Sequence, residues 1–401
     1  MDPASGGGAP EVNAGVLLAV SPAASAEALT AFARALMEDV RPEMERATGA
    51  RWVFDMVDSY QLSDDDARRP SDFLDEASLH MVEGPYDVLL VITDVGLVSR
   101  KQRVVPGLAS EISRIAVLST RKLLVSPRGR PVRRLDEEPV RHNATALGLH
   151  LLGRLLGLPP GREGGGVMAP FRFEEEGRAP PRFSPGEEAR LRARAARIPE
   201  RTEPAHGAAS TVAFHLRSAA RHLGPVLRPL WRNRALLLPL SLPGLATAAV
   251  APVFILVFTA EIWDVGLNMP PSTAATFAVI SILAATWYLL RVQNLFFPQK
   301  EQRILTEHLA ALNVTVLLTM LLAMIGLFLL VGLLILFIQF FIFPAGLIAT
   351  WPTLEDPRVT LLDRFVLAAF ISTNGVLTGA LAGGLESRSL IRHLALFDEV
   401  S

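Results

Sequence analysis

The stretch HLLGRLLGL, His150–Leu158, decides how the first half of the chain is read. It closes the longer run VRHNATALGLHLLGRLLGL, Val140–Leu158, whose leucines recur at helical spacing and predict a helix with a broad apolar face. On that helix His150 and Arg154 stand four residues apart, one turn from each other. The glycine-rich turn PPGREGGG follows, then VMAPFRF. The next segment, FSPGEEARLRARAARI, predicts a helix with a strong start: Ser184 as N-cap, Pro185 at the first position and Glu187 closing a capping box.

Upstream, short apolar runs alternate with amphipathic ones. GVLLAV and WVFDMVD read as strands, with an alanine-rich helix over Ser25–Thr48 between them. RRPSDFLDEASLHMVE reads as a second helix, YDVLLVITDVGLV as a central strand and ISRIAVLST as another. This order predicts an α/β (α+β) domain, a mixed sheet with helices packed against it, over residues 12–201. Residues 1–11 read as a disordered tail. Neither G-x-G-x-x-G nor G-x-x-x-x-G-K-[ST] is present, so no nucleotide site is expected.

Composition splits the chain in two. Mean hydropathy is +0.33, half of the 401 residues are apolar, and the excess lies after Ala235. The 39 basic and 40 acidic residues nearly cancel, so no nucleic-acid partner is expected. Of the basic residues 36 are arginine, which reads as the codon bias of a GC-rich bacterial genome. Cysteine is absent, which excludes disulfides, thiolate-held metals and a cysteine nucleophile. The opening residues have neither a basic nor an apolar region of the kind a cleaved signal needs.

Four apolar segments, about 235–259, 273–290, 312–343 and 361–385, approach or exceed the roughly 20 residues of a membrane span. They predict an all-α transmembrane bundle of four helices over 235–385. A basic amphipathic linker precedes it over 202–234, and a cytoplasmic tail follows over 386–401. Arg217, Arg221, Arg228, Arg232 and Arg234 precede the first segment and suit a membrane surface. The next loop carries Glu261 and Asp264 and no basic residue, whereas the loop after it carries Arg291, Lys300 and Arg303. This bias predicts an inner (cytoplasmic) membrane protein with both termini in the cytoplasm. The third loop, with Arg358 and Arg364 among three acids, speaks less plainly. Pro239, Pro243 and Pro252 are expected to kink or delay the first span. QKEQRILTEHLAAL, between the second and third, reads as a connector helix or a second surface-lying one. The spans hold almost no ionisable group, which speaks against a pump. Gly375, Gly379 and Gly383 are spaced by four and predict close helix packing, either within the bundle or across a homodimer.

In the first half, the order of motifs resembles the metzincin superfamily of zinc metalloproteases, archaemetzincins above all. The resemblance covers about Val12–Arg201: an ITDVGL strand, an AVLST strand, the HxxGxLLGL helix, a VMAP turn and a helix opening S-P-x-E. It implies a metzincin-like fold, with VMAP as the Met-turn and Met168 as its methionine. The family motif H-E-x-x-H-x-x-G-x-x-H supplies three zinc histidines and a glutamate that takes a proton from bound water. Here His150 matches the first ligand and Gly157 the glycine. Leu151 stands at the glutamate, Arg154 at the second histidine and Pro160 at the third. None of the eight histidines forms an H-x-x-x-H pair, and Glu174, Glu175 and Glu176 read as a solvated acidic run.

The resemblance therefore implies a catalytically degenerate protease-like domain. His150 is a remnant ligand, zinc is not expected as a cofactor, and the role is binding, regulation or scaffolding with a protein or peptide partner at the lipid bilayer. The alternatives are an active membrane zinc metalloprotease with non-standard ligands, and a channel or transporter subunit.

Overall fold

The apolar run YDVLLVITD forms the middle of a five-stranded sheet in the computed structural model of the chain. The structure describes residues 10–99, 103–125, 133–161, 166–174, 181–196, 198, 202–204, 208–221, 223–296, 304–343, 359–383 and 388–397. The chain divides into two compact units. One holds Met1–Val226, Phe297–Leu312 and Leu396–Ser401; the other holds Leu227–Phe296 and Asn313–Ala395.

In the first unit, β1 (Glu11–Val20) leads into α1 (Ala26–Thr48), which returns to β2 (Arg51–Gln61). A 3-10 turn (Pro70–Phe73) and α2 (Leu74–Glu83) lead to β3 (Val88–Thr93). Two short strands, β4 (Leu97–Val98) and β5 (Val104–Val105), pair as a hairpin. Then come β6 (Gly107–Ser110), β7 (Ile115–Ser119), the single turn α3 (Arg121–Leu124), α4 (Glu138–Leu155) and α5 (Pro185–Ala195). The sheet order is β2-β1-β3-β7-β6. Every pair is parallel except β6 with β7.

Alternation of the pleat divides the core. Val12, Ala14, Val16, Leu18, Leu90, Ile92, Ala116 and Leu118 face α1 and α4 in one apolar cluster. Leu17, Leu89, Val91 and Val117 face the other side, and with Phe73, Leu74, Ala77 and Met81 they are buried. Strands β3 and β7 are buried at every position because both faces are covered, whereas β2, at the sheet edge, is mostly exposed or half-buried.

The sequence pattern placed β1, β2, β3 and β7 and the helices between them. It missed β6, whose four residues GLAS carry no strand signal and form a strand only by pairing with β7. The helix read over RRPSDFLDEASLHMVE opens as the 3-10 turn, with Pro70 at its first position. At Ser184 the expected start is present: the Glu187 carboxylate accepts from the Ser184 N–H at 2.8 Å.

Past the sheet, a short strand β8 (Thr202–Pro204) is followed by α6 (Ala208–Arg221) and α7 (Leu223–Arg232). A 3-10 segment (Ala235–Ser241) then precedes α8 (Pro243–Val257), α9 (Ala260–Leu267) and α10 (Pro271–Val292). Strand β9 (Ile304–Thr306) pairs antiparallel with β8. Next come α11 (Glu307–Phe337), a π turn (Ile338–Ile342), α12 (Leu361–Gly383) and α13 (Arg388–Leu396).

Among the described residues, three stretches are long and apolar enough to cross a membrane: Pro271–Val292, Leu309–Ile342 and Leu361–Gly383. A fourth exists if Ala235–Ser241 and Pro243–Val257, bent by 84°, are one span. Pro243 sits at that bend. It opens α8 while Pro239 lies inside the 3-10 segment, so the expected kink falls between the two.

One expectation changes in part: within the connector QKEQRILTEHLAAL, Ile304–Thr306 is a strand and Glu307 onward belongs to α11, while the residues before Ile304 lie outside the described ones. The C-terminal segment holds α13. In α13 Arg392 is buried, and its guanidinium donates to the carbonyls of Asn294, Leu295 and Phe296 at the end of α10. Residues 1–9, Glu175, Glu176, Lys300, Arg303 and Arg358 lie outside the described residues.

Within the second unit, the three glycines of α12 meet other helices of the same bundle. A Cβ at Gly375 would lie 3.2 Å from the Ala249 carbonyl oxygen and from Val253 and Val331. At Gly379 it would lie 2.9 Å from Ala249 Cβ and 3.0 Å from Leu327, and at Gly383 3.0 Å from Leu245 and Leu289. Hydroxyls of the spans bond back into their own helices: Thr319 to the Thr315 carbonyl, Ser372 to Ala368, Thr378 to Asn374. These three hydroxyls are satisfied within their own helices, the pattern a hydrocarbon environment favours.

Candidate functional site

HLLGRLLGL is the last turn and a half of α4 and the residues that end it. Every residue from His150 to Leu158 is buried, so the helix is enclosed on all sides here and not merely along one face. The helix stops at Gly157, which has φ +79°, the left-handed conformation that glycine adopts at least cost. The Leu158 N–H bonds to the Gly153 carbonyl and the Gly157 N–H to the Arg154 carbonyl, the paired closure of a Schellman end. A Cβ at Gly157 would also collide with the Arg194 guanidinium and the Glu111 carboxylate, which form an ion pair of 2.7 Å.

The Met168 turn lies directly beneath. A Cβ on Gly153 would stand 2.8 Å from Met168 Sδ and 3.1 Å from the Phe183 ring. Gly153 thus admits the methionine against the helix backbone. The Gly161 N–H donates to the Met168 carbonyl at 2.6 Å, tying the two ends of the intervening loop together. Further on, the Asn143 side chain bonds both the N–H and the carbonyl of Glu174, at 2.9 and 2.8 Å. A single amide so mimics a strand partner for the chain leaving the turn. No sequence signal marks this pair, because the residues are 31 apart.

His150 is engaged by the same turn. Its Nδ1 is 2.9 Å from the Val167 carbonyl. A carbonyl only accepts, so Nδ1 carries the proton and Nε2 the lone pair. Burial, the largest influence, pulls the imidazole pKa below its ordinary value. The Val167 carbonyl opposes this, the Arg154 charge adds to it, and Glu187 opposes it. The site therefore favours the neutral imidazole over the imidazolium.

Leu151, at the position of the family's glutamate, is 2% exposed and belongs to the main apolar cluster. It reaches the sheet edge, where a Cβ on Gly107 of β6 would lie 2.9 Å from Leu151 Cδ1. Arg154, at the second ligand position, is 9% exposed and donates from Nη1 to the Leu158 carbonyl at 2.9 Å. Pro160, at the third, sits half-buried in the loop past the helix.

These residues do not fit a zinc ion. A structural or catalytic site needs three or four nitrogen, oxygen or sulfur donors. Here one imidazole nitrogen stands beside a permanent cation. The Glu187 carboxylate is held by the Ser184 N–H. Glu174 lies toward His142, at 3.8 Å, and its backbone is clasped by Asn143. Among the described residues, no group of three His, Asp or Glu side chains is gathered that could hold a metal.

The other expected surface is the basic segment before the bundle. Arg217 and Arg221 of α6 are exposed, and so is Arg234, which has φ +49° between α7 and the 3-10 segment. The side chains of Arg228 and Arg232 lie outside the described ones.

No family model matches the chain, and no curated protein matches it. Solved structures do. The chain is similar to archaemetzincin from Methanopyrus kandleri, with 20% identity over 45% of this chain and 96% of that one, at a TM-score of 0.32. It is similar to a zinc-dependent peptidase from Methanocorpusculum labreanum, with 17% identity over 44% and 99%, again at 0.32. Archaemetzincin from Archaeoglobus fulgidus complexed with malonate shares 16% identity over 46% and 99%, at a TM-score of 0.24.

Proposed function

We propose that the first half of the chain is a metalloprotease-like domain that has exchanged catalysis for binding, held at a membrane by the helices of the second half. One observation carries this reading. The three α4 side chains at the family's metal-binding and acid–base positions are each committed to structure: His150 to the Val167 carbonyl, Arg154 to the Leu158 carbonyl, and Leu151 to the core against Gly107. What remains is a sheet that ends at β6, the one antiparallel strand, with the remodelled helix beside it. An extended peptide can add to such an edge through main-chain hydrogen bonds alone.

The rest of the reading concerns place. The arginine bias supports a multi-pass protein of the cytoplasmic membrane of a bacterium, with both termini cytoplasmic if the bent pair is one span. The α12 glycines support packing within one bundle. The partner is a protein or peptide of the cytoplasmic side, and the role is regulatory or scaffolding.

The test uses the full chain in detergent or lipid nanodiscs with an immobilised peptide library, scored for both binding and cleavage. The expected result is retention of a peptide subset without hydrolysis. Hydrolysis that is lost with a chelator or with His150→Ala would overturn the reading.

A further inference from the structure

Helix α7 carries an apolar stripe that stays exposed among the described residues. Leu223, Leu227 and Trp231 follow one another at four-residue intervals, so they share one side of the helix. All three are exposed, Trp231 at 83%, while Val226 and Leu230 of the same helix are buried. Exposed apolar surface continues through Leu236, Leu237 and Leu240 of the 3-10 segment and on to Phe254, Ile255 and Phe258 at the far end of α8 and just beyond it.

Charge follows a simple rule over the same region. From Ala208 to Ser241 there are five arginines, Arg217, Arg221, Arg228, Arg232 and Arg234, and no aspartate or glutamate. Geometry adds a third observation. The 3-10 segment and α8 are bent by 84°. If α8 runs across the bilayer at an ordinary tilt of about 20°, the segment before it lies close to the membrane plane. Arg232 and Arg234 immediately precede that segment, and charged side chains keep to the headgroup level, so the approach to α8 falls there, among the leucines and Trp231.

We propose that α7 and the 3-10 segment form an interfacial element that lies in the headgroup layer and recognises anionic phospholipid. Leu223, Leu227 and Trp231 enter the acyl boundary, and the arginines meet phosphate. Lipid is the occupant because the exposed stripe is continuous in sequence with a membrane-entering segment and because the flanking charge has one sign. Tryptophan suits the position, with an apolar ring for the acyl side and an N–H for the wet side. This goes beyond the peptide-binding reading and does not depend on it.

The absence of cysteine makes the test direct. Single variants Leu223→Cys, Leu227→Cys and Trp231→Cys, with Ala28→Cys as an aqueous reference, are spin-labelled in the full chain. They are reconstituted in phosphatidylcholine vesicles with or without phosphatidylglycerol. Collision with oxygen is compared with collision with a water-soluble nickel chelate. The expected oxygen-to-nickel ratio is several-fold above that of Ala28 at all three positions. It should fall several-fold without phosphatidylglycerol or with Arg228→Gln and Arg232→Gln, and recover with lysine at both. A ratio equal to that of Ala28 overturns the proposal. So does exclusion of both reagents regardless of lipid, the mark of a protein partner or a second copy. A high ratio indifferent to lipid charge overturns the recognition of anionic lipid.

Discussion

The Nδ1 of His150 donates to the carbonyl of Val167 across 2.9 Å, joining the last turns of α4 to the residue before Met168. The bond fixes the turn beneath the helix. It also uses one ring nitrogen and leaves the other as a lone base beside a guanidinium.

Removing that bond should cost stability. In His150→Ala the Val167 carbonyl, on a buried residue, loses its donor, and the imidazole's volume is left empty. An unpaired buried carbonyl costs about 1–3 kcal/mol. The expected outcome is a lower melting temperature for the first unit, followed by the fluorescence of Trp52, which is buried in the same cluster. His150→Gln, which can keep a donor, should recover part of the loss.

The same imidazole should make stability depend on pH. Burial holds its folded pKa below the ordinary value of about 6.5. The unfolded chain therefore binds the proton more readily. Stability is full above about 6.5 and declines as pH falls from there toward the folded pKa. Melting curves from pH 5 to 8 should show this slope in the wild type and a shallower one in His150→Gln. In Arg154→Met the neighbouring charge that favours the neutral ring is gone and the folded pKa rises, so the decline should still begin near about 6.5 but end at a higher pH and be smaller. A slope unchanged in His150→Gln would assign the dependence to other groups.

Gly157→Ala tests the helix end. Alanine at φ +79° is strained, by about 1–3 kcal/mol, and its Cβ would displace the Arg194–Glu111 pair. The expected outcome is a clear loss of stability, larger than for alanine at Gly186, where nothing lies within 4 Å of a Cβ. Equal effects at the two sites would mean that the helix end relaxes freely.

In the bundle, Gly379→Leu should disrupt packing. Its side chain would enter the space of Ala249, Leu327 and the Leu245 carbonyl. Overpacking of this kind costs about 1–3 kcal/mol or more. The expected outcome is a lower unfolding temperature in detergent with the same oligomeric state by light scattering. A change of oligomeric state at unchanged stability would place this face between copies instead.

Much of this could be read from residue order. Both-sided burial makes β1, β3 and β7 nearly pure apolar runs, and α1 and α5 carry their own start signals at Ser25 and Ser184. That positions 151, 154 and 160 hold Leu151, Arg154 and Pro160, none of them a zinc ligand, was equally legible, because a metal motif depends on residue type at fixed spacing. What was not legible depends on distant partners. Strand β6 exists because β7 pairs with it, and the clasp of Asn143 on Glu174 closes over 31 residues. The burial of Arg392 needed the end of α10 to be in place. The connector before α11 was misread because its strand is defined by pairing with Thr202–Pro204.

The most direct test of the central claim is the metal content of the purified full-length protein beside His150→Ala. A domain with arginine and proline at the second and third ligand positions, and leucine in place of the glutamate, should carry no stoichiometric zinc in either form, even after incubation with zinc and desalting. About one zinc per chain in the wild type, lost in His150→Ala, would contradict the account and restore a metalloprotease.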